Sequence, residues 1–333
     1  MTASHIPREL SYPTQYEHRA DAGTYVFFNL PGCVFAFLYI CSACPAHEGL
    51  CRKNTALTAK PTPIKRHFCH IGYNGLQYHG WQRQRSAVGV QAVVENALAR
   101  VLKETITAVG CGRTDAMVHA SQYFFHADIP EHVDFDLQER LNRNLPEDIA
   151  VFDIIPVPDN AHARFDARLR TYDYFIHRDK DPFLAGKSAW YPFADLDLDG
   201  MRAAVALLPA HQDFRAFCRT PDKVEHTICR ISAARLWVNP DGARLRFQIS
   251  ANRFLRGMVR IITGQLLEIG MGRSSVAAFA SHLQTGQTLA RMHAAYPQGL
   301  YLTKVDYPDL SLPGRPEFMR ILQHDEGDYW RVV

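Results

Sequence analysis

The amino-acid sequence predicts an α+β fold in which two rounds of strands and helices build a largely antiparallel sheet. Strand-like and helix-like stretches follow one another without the regular βαβ repeat that a doubly wound parallel sheet requires. Two of the strand patterns are separated only by Asn239-Pro240-Asp241-Gly242, a tight-turn sequence. With 333 residues, 47% of them hydrophobic, the chain can bury one large core or two modest ones.

The first round of elements begins at His67, where apolar alternation predicts a strand. Apolar residues at helical spacing from Val90 to Leu102 predict an amphipathic helix. The remaining elements of this round are a strand at 106–109, a loop at 110–120, a strand at 122–126, a helix at 137–145, and strands at 149–157 and 169–177.

The second round has the same mixture of elements. It consists of a helix at 198–208, strands at 228–238 and 245–251, a long helix from about 254 to 269, a helix at 276–283 and a last strand at 300–307. The sequence contains no Walker loop, no GxGxxG after a strand, no HExxH and no GxSxG. Nucleotide-cofactor, zincin and α/β-hydrolase classes therefore have no support.

Residues 1–64 differ from the rest and are interpreted as an extension of unknown role. Their apolar run, Tyr25 to Cys41, is at the lower edge of membrane-spanning length and is interrupted by Asn29, Pro31 and Gly32, so no membrane span is predicted. Cys33, Cys41, Cys44 and Cys51 crowd together beside His47, but a single CxxC without a second spaced pair is weak support for zinc. The other four cysteines are expected to be reduced thiols: Cys69, Cys111, Cys218 and Cys229.

The basic residues of the main part of the chain are mostly arginine. Residues 67–333 carry 30 basic and 30 acidic side chains, and 25 of the basic ones are Arg. Arginine binds phosphates with two parallel donors and stacks on bases, so this bias suits contact with RNA. A GC-rich genome would produce the same bias.

The most informative segment is the predicted loop from Gly110 to Ala120. It contains the sequence Arg113-Thr114-Asp115, and its two glycines permit tight backbone turns. Taken alone, Asp115 fits a turn or cap residue, and a held, ionised carboxylate also fits a covalent nucleophile.

Four further blocks accompany this loop. In chain order the five blocks are 73–84, 112–120, 163–174, 254–264 and 299–307. Over residues 67–310 they resemble the tRNA pseudouridine synthase A family, whose signature loop holds a catalytic aspartate. The chain departs from the family at Met117, where glycine is usual, and at Gly257, where histidine is frequent.

The resemblance implies two similar α/β halves, 65–177 and 178–310, that meet at a central catalytic cleft, with a C-terminal tail at 311–333. It implies an isomerase that converts uridines at positions 38–40 of the tRNA anticodon stem-loop to pseudouridine. Such an enzyme uses no cofactor and no metal, binds tRNA, works as a homodimer and is cytoplasmic.

The resemblance also implies roles for individual residues. Asp115 would be the nucleophile, attacking either C6 of the base or C1′ of the sugar, and Arg260 would pair with it, since an opposite charge favours the ionised carboxylate. Otherwise Arg260 is a solvated charge on a helix face. Arg113 would contact the RNA, or else form a local salt bridge. Tyr172 would stack on the extruded uridine, while Tyr174 would pack in the core.

Several neighbouring residues have open roles. His79, Trp81 and Arg83 are either rim contacts or structural residues, and His119 is expected to brace the loop of Asp115. Two rival functions remain, a non-catalytic RNA-binding module and a nucleoside hydrolase or base glycosylase. A module that only binds RNA would have no need of the carboxylate.

Overall fold

The computed structural model describes residues 63–193, 195–289, 292–308 and 310, and also the short strands at 18–20, 23–25 and 331–332. The chain divides into two compact units, Met1–Ala59 and Lys60–Val333. In the first unit, His18–Ala20 (β1) pairs antiparallel with Gly23–Tyr25 (β2). The cysteine cluster at 33–51 lies outside the described residues, as does most of the predicted tail.

The first half of the second unit has four antiparallel strands and two helices. Its elements are Ile64–Tyr73 (β3), Val90–Leu102 (α1), Val109–Gly110 (β4), His119–Pro130 (β5), Leu137–Asn144 (α2) and Ile149–Pro156 (β6). β3 lies between β5 and β6 and runs antiparallel to both. α1 forms where apolar residues recur at helical spacing, and it buries Val94 and Leu98 along one face.

The second half repeats this pattern around another central strand. Its elements are Leu169–His177 (β7), Ala189–Trp190 (β8), Leu198–Leu207 (α3), Ile231–Val238 (β9), Arg244–Ala251 (β10), Met258–Gly270 (α4), Val276–Thr285 (α5), Leu300–Asp306 (β11) and Arg331–Val332 (β12). β7 runs antiparallel to both β10 and β11, as β3 does to its two neighbours. β7 ends at His177, which is the predicted boundary between the halves. The strands that pair antiparallel with it, β10 and β11, both come after that boundary in the chain.

The two halves share one sheet. Among the described residues, ten strands form it, in the order β12-β9-β10-β7-β11-β5-β3-β6, with β4 beside β5 and β8 beside β7. The seam is a parallel pairing of β11 with β5, in which Tyr301 lies opposite His119. Most other pairs are antiparallel, so the predicted α+β fold is confirmed. β5 begins at this seam, directly after the loop that holds Asp115.

The turn predicted between β9 and β10 is present. Gly242 donates its backbone N–H to the Asn239 carbonyl, and the Asn239 side chain accepts from the Arg244 N–H at 2.8 Å. An Asn side chain that binds the backbone further on is what makes this residue type favourable in turns. This turn therefore follows from local sequence chemistry.

The strand predicted at 106–109 is wrong for residues 106–108. The backbone groups of Ala108 bind side chains of α1 and not a neighbouring strand. The Ala108 N–H donates to Glu95 Oε1 at 3.0 Å, and its carbonyl accepts from Gln91 Nε2 at 3.0 Å. Ile106 and Ala108 are buried, so the apolar pattern was correct and only the hydrogen-bond partner was misjudged.

Several predicted boundaries also need correction, among them those of β3, which begins at Ile64 and not at 67, and of β5, which is His119–Pro130 and not 122–126. α4 begins at Met258 and not at 254, because Gly257 before it adopts φ +73°, in the left-handed region. β9 begins at Ile231 and not at 228, since Ile228 makes only an isolated bridge with Asp213.

No helix in the described part of the chain is long and apolar enough to cross a membrane.

Candidate active site

The loop of Asp115 is held by the segment 73–84 packed against it. The Thr114 hydroxyl accepts from the Trp81 N–H at 3.1 Å and hydrogen-bonds the Tyr73 hydroxyl at 2.9 Å. Gly80, at φ +82°, lets the two backbones touch, because a Cβ there would lie 2.1 Å from the Thr114 carbonyl oxygen. The loop is therefore fixed by close and buried contacts of Thr114, directly before Asp115.

Asp115 meets Arg260, which lies on helix α4 of the second half. Arg260 Nη1 lies 3.3 Å from Asp115 Oδ2, across 145 positions of sequence. The Arg260 side chain is only 12% exposed, and its Nε donates to the Ala295 carbonyl at 2.8 Å. The Asp115 side chain is 28% exposed, so the carboxylate is both paired and accessible.

Tyr172 lies in β7 close to this pair. It is 9% exposed, and its ring meets Phe254 edge-on with centroids 5.0 Å apart. Burial raises the pKa of Tyr172 well above its usual value, and the charge of Asp115 adds to the shift, so the phenol stays protonated. Tyr174, two residues on, is fully buried and donates its hydroxyl to the Tyr296 carbonyl at 2.8 Å, as expected for core packing.

Arg113 is exposed on the loop. No salt bridge to it occurs among the residues that the structure describes. The alternative role as a local salt-bridge partner therefore has no structural support, and the guanidinium is available to an incoming anion.

His119 braces the loop from the start of β5. Its Nδ1 accepts from the Gly75 N–H at 3.0 Å, so Nε2 carries the proton and donates to the Gln298 carbonyl at 3.2 Å. Burial lowers the pKa of His119 to about 4, which leaves the ring neutral at pH 7. With both nitrogens engaged, His119 is a structural link between segment 73–84 and β11.

The three candidate rim residues have different environments. Trp81 is 2% exposed and packs on Tyr123 at 4.3 Å between centroids, so it is a core residue and the rim role is wrong. Arg83 pairs with Glu95 of α1 at 2.7 Å, a structural role. His79 is exposed.

Arg170 was missed by the sequence analysis. Its guanidinium makes five hydrogen bonds to backbone carbonyls, those of Cys111, Arg164, Ala167 and Asn252. It thus joins the loop of Asp115 to the turn at 164–167 and to the residue that follows β10. A signal was present, because an arginine stands near the start of a strand whose last seven residues are all buried.

The described residues contain no cluster of three or more His, Cys, Asp or Glu side chains that could hold a metal ion. The expected reduced thiols Cys69, Cys111, Cys218 and Cys229 are all buried and free.

Comparison with known proteins decides the family. A family model described as tRNA pseudouridine synthase matches residues 71–166 and 203–308. The chain is 40% identical to tRNA pseudouridine synthase A of Porphyromonas gingivalis over 248 residues, which cover 74% of this chain and 98% of the relative. The chain belongs to the tRNA pseudouridine synthase family. It is therefore an isomerase.

Two other relatives show how widely the likeness extends. The synthase is 39% identical to tRNA pseudouridine synthase A of Bacteroides fragilis over 248 residues, which cover 74% of this chain and 97% of that protein. It is also 39% identical to tRNA pseudouridine synthase A of Gloeobacter violaceus over 242 residues, which cover 72% and 79% of the two chains.

The two departures of this synthase from its family lie at unusual backbone conformations. Met117 adopts φ +62° two residues after Asp115, and Gly257 adopts φ +73° directly before α4. Glycine reaches the left-handed region without strain, and histidine is enriched there among other residues. The family's usual residues therefore match the backbone that this chain adopts at both positions.

Proposed function

We propose that this synthase converts uridines at positions 38–40 of the tRNA anticodon stem-loop to pseudouridine, with Asp115 as the nucleophile. The observation that carries the proposal is the ion pair between Asp115 and Arg260, which joins the signature loop to helix α4 at a partly open site. The relatives' shared name, tRNA pseudouridine synthase A, supports the choice of substrate.

The reaction breaks the N1–C1′ bond of uridine and joins C1′ to C5 of the same base. N1 gains a proton and C5 loses one, so the product has the mass of the substrate. Asp115 forms a temporary covalent bond at C6 of the base or at C1′ of the sugar, and this bond breaks again when the base has turned. No electron acceptor and no water is consumed.

Arg260 holds the carboxylate of Asp115 in place for the attack. Its Nε is tied to the Ala295 carbonyl, which leaves Nη1 aimed at Asp115 Oδ2. A guanidinium anchored in this way orients an anion at little entropic cost, because its planar donors are already positioned.

The uridine must leave the base stack before Asp115 can reach it. Tyr172 supplies an aromatic face next to Asp115, held by Phe254, on which the extruded base would stack. The exposed Arg113 would bind a phosphate and hold the RNA open beside the loop.

We further propose that the synthase acts as a cytoplasmic homodimer, with one tRNA touching both subunits. The support is the family resemblance. Sedimentation of the protein with and without tRNA tests the assembly, and a monomer that remains fully active would overturn it.

Incubation of the protein with uridine-containing tRNA, followed by digestion and separation of the nucleosides, tests the reaction. Pseudouridine at unchanged mass is the expected product. An abasic site would indicate a hydrolase, and unchanged uridine with bound tRNA would indicate a binding module. Mapping pseudouridines in tRNA from cells that lack the gene then tests positions 38–40.

A further inference from the structure

A rigid turn lies at 162–167, outside the loop and helix that form the candidate active site. Every backbone N–H from His162 to Asp166 is hydrogen-bonded. Asp166 Oδ2 accepts from His162, His126 Nδ1 accepts from Ala163, and His162 Nδ1 accepts from both residues that follow. The Asp166 N–H donates to the His162 carbonyl. The turn is thus fully ordered by its own polar groups.

This rigid turn holds a phenylalanine out in solvent. Phe165 is 74% exposed, and its ring packs on His162 at 4.2 Å between centroids, tilted by 36°. His162 in turn meets the buried His126 edge-on at 4.7 Å. Phe165 is therefore the outer member of a supported row of rings, and most of its surface is exposed to solvent.

One arginine lies beside Phe165. The Arg164 guanidinium is 5.8 Å from the centre of the Phe165 ring, within the range of a cation–π contact. The carboxylate of the next residue, Asp166, is turned to the His162 N–H. A positive, aromatic surface suits an anionic polymer with flat bases better than it suits a protein core.

The turn is tied directly to the loop of Asp115. One nitrogen of Arg170, Nη2, donates to the carbonyls of both Arg164 and Cys111, at 2.7 and 2.8 Å. Arg164 precedes Phe165, and Cys111 is four residues from Asp115. An extended chain of four residues spans at most about 14 Å, so Phe165 lies within a few nucleotides' reach of the nucleophile.

We propose that Phe165 is a stacking platform for an unpaired base of the RNA next to the uridine that Asp115 attacks. The ligand class is a single-stranded or loop nucleotide, bound by its face and without reading of base identity. The assignment rests on the proposed function, since it needs an RNA in the site. It adds a second stacking contact to the one proposed for Tyr172.

The test compares three variants of the exposed ring for binding to unmodified tRNA transcript at fixed salt. Phe165→Ala should weaken the affinity by about 5- to 150-fold, the range found for removal of one base–aromatic stack. Phe165→Trp should keep the affinity, and its added fluorescence should be quenched by the RNA. Phe183→Ala, which removes a phenylalanine that is 85% exposed on the loop between β7 and β8, is the matched control.

Two further readouts separate stacking from other causes. The dependence of the affinity on salt should be the same for Phe165→Ala and wild type, because no phosphate contact is lost. Binding to an uninterrupted RNA duplex should be unchanged, because it offers no unpaired base. In turnover, KM should rise while kcat is nearly kept.

The outcomes are distinct from those of the proposed function. A wild-type protein that makes no pseudouridine overturns the proposed function, whatever Phe165 does. An active wild type with a Phe165→Ala variant of normal affinity and KM overturns the platform alone. A Phe165→Ala variant that sediments as a smaller species with unchanged RNA affinity would assign the ring to contact between copies of the chain.

Discussion

Replacement of Arg260 tests whether the ion pair organises the site. Arg260→Met removes the charge and keeps much of the length of the side chain. The buried Ala295 carbonyl then loses its donor, which costs about 1–3 kcal/mol of stability. Asp115 loses its partner but is 28% exposed, so solvent compensates part of that loss. We expect the free energy of unfolding to fall by roughly 2–4 kcal/mol.

A double-mutant cycle separates the ion pair from these other costs. Unfolding of the wild type, Arg260→Met, Asp115→Asn and the double variant should give a coupling energy on the order of 1–3 kcal/mol for groups 3.3 Å apart. Arg256, exposed on the turn before α4, is the control residue. The cycle of Arg256→Met with Asp115→Asn should give a coupling near zero.

Turnover gives the second measurement on the same variants. A positioned charge at a reacting group contributes roughly 10²- to 10³-fold to kcat in other enzymes, and Arg260→Met should lose a factor of that order. Arg260→Lys should recover only part, because a point charge cannot keep both contacts of the planar group. A fully active Arg260→Met variant, or a coupling energy of zero, would refute the role of the pair.

Four more predictions concern the loop and its supports. Asp115→Asn should form no pseudouridine while its affinity for tRNA at fixed salt stays near normal, because phosphate contacts supply most of the affinity; product from this variant would exclude Asp115 as nucleophile. Met117→Gly should leave stability within about 1 kcal/mol, since relief of the strain at φ +62° is offset by backbone entropy; a large loss in denaturation would show that the Met117 side chain packs on the fold. Burial lowers the pKa of His119 from 6.5 to about 4. Between pH 6.5 and pH 4 the unfolded chain therefore binds a proton that the native state does not. Stability should therefore fall by up to about 3 kcal/mol from pH 6.5 to pH 4, and His119→Gln should flatten that slope. Arg170→Lys should raise hydrogen exchange at residues 111–115, since an ammonium cannot reach four carbonyls; unchanged exchange would contradict its positioning role.

The sequence predicted most elements of the second unit because their apolar periods are strong. α1, α5 and β7 begin where predicted, and β7 also ends there. The errors lie where another interaction replaces the backbone hydrogen bonds expected between neighbouring strands. At Ala108 the donors and acceptors come from α1, and such long-range side-chain contacts leave no local signal.

The sequence pointed to the motif residues of the candidate site and to one support, His119, but not to Arg170. Asp115, Arg260 and Tyr172 stand within recognisable blocks, and the structure brings them together from three separate elements. Arg170 was missed because its partners are backbone carbonyls, which any residue type provides. For Trp81 both roles stayed open, because its polar ring atom and aromatic face suit either a rim or a core, and only burial distinguishes the two.

Backbone conformation explains why the two departures from the family motif have opposite effects on backbone strain. At Gly257 the chain substitutes glycine for histidine at φ +73°, which removes strain, and the Arg219 side chain occupies the space where a Cβ would come within 3.2 Å. At Met117 it substitutes a large residue for glycine at φ +62°, which adds strain two residues from the nucleophile. The loop nevertheless keeps this geometry, because the Met117 N–H donates to the Tyr78 carbonyl at 2.9 Å. The left-handed turn is thus a requirement of the contacts around Asp115, and the residue type adapts to it at a cost of about 1–2 kcal/mol.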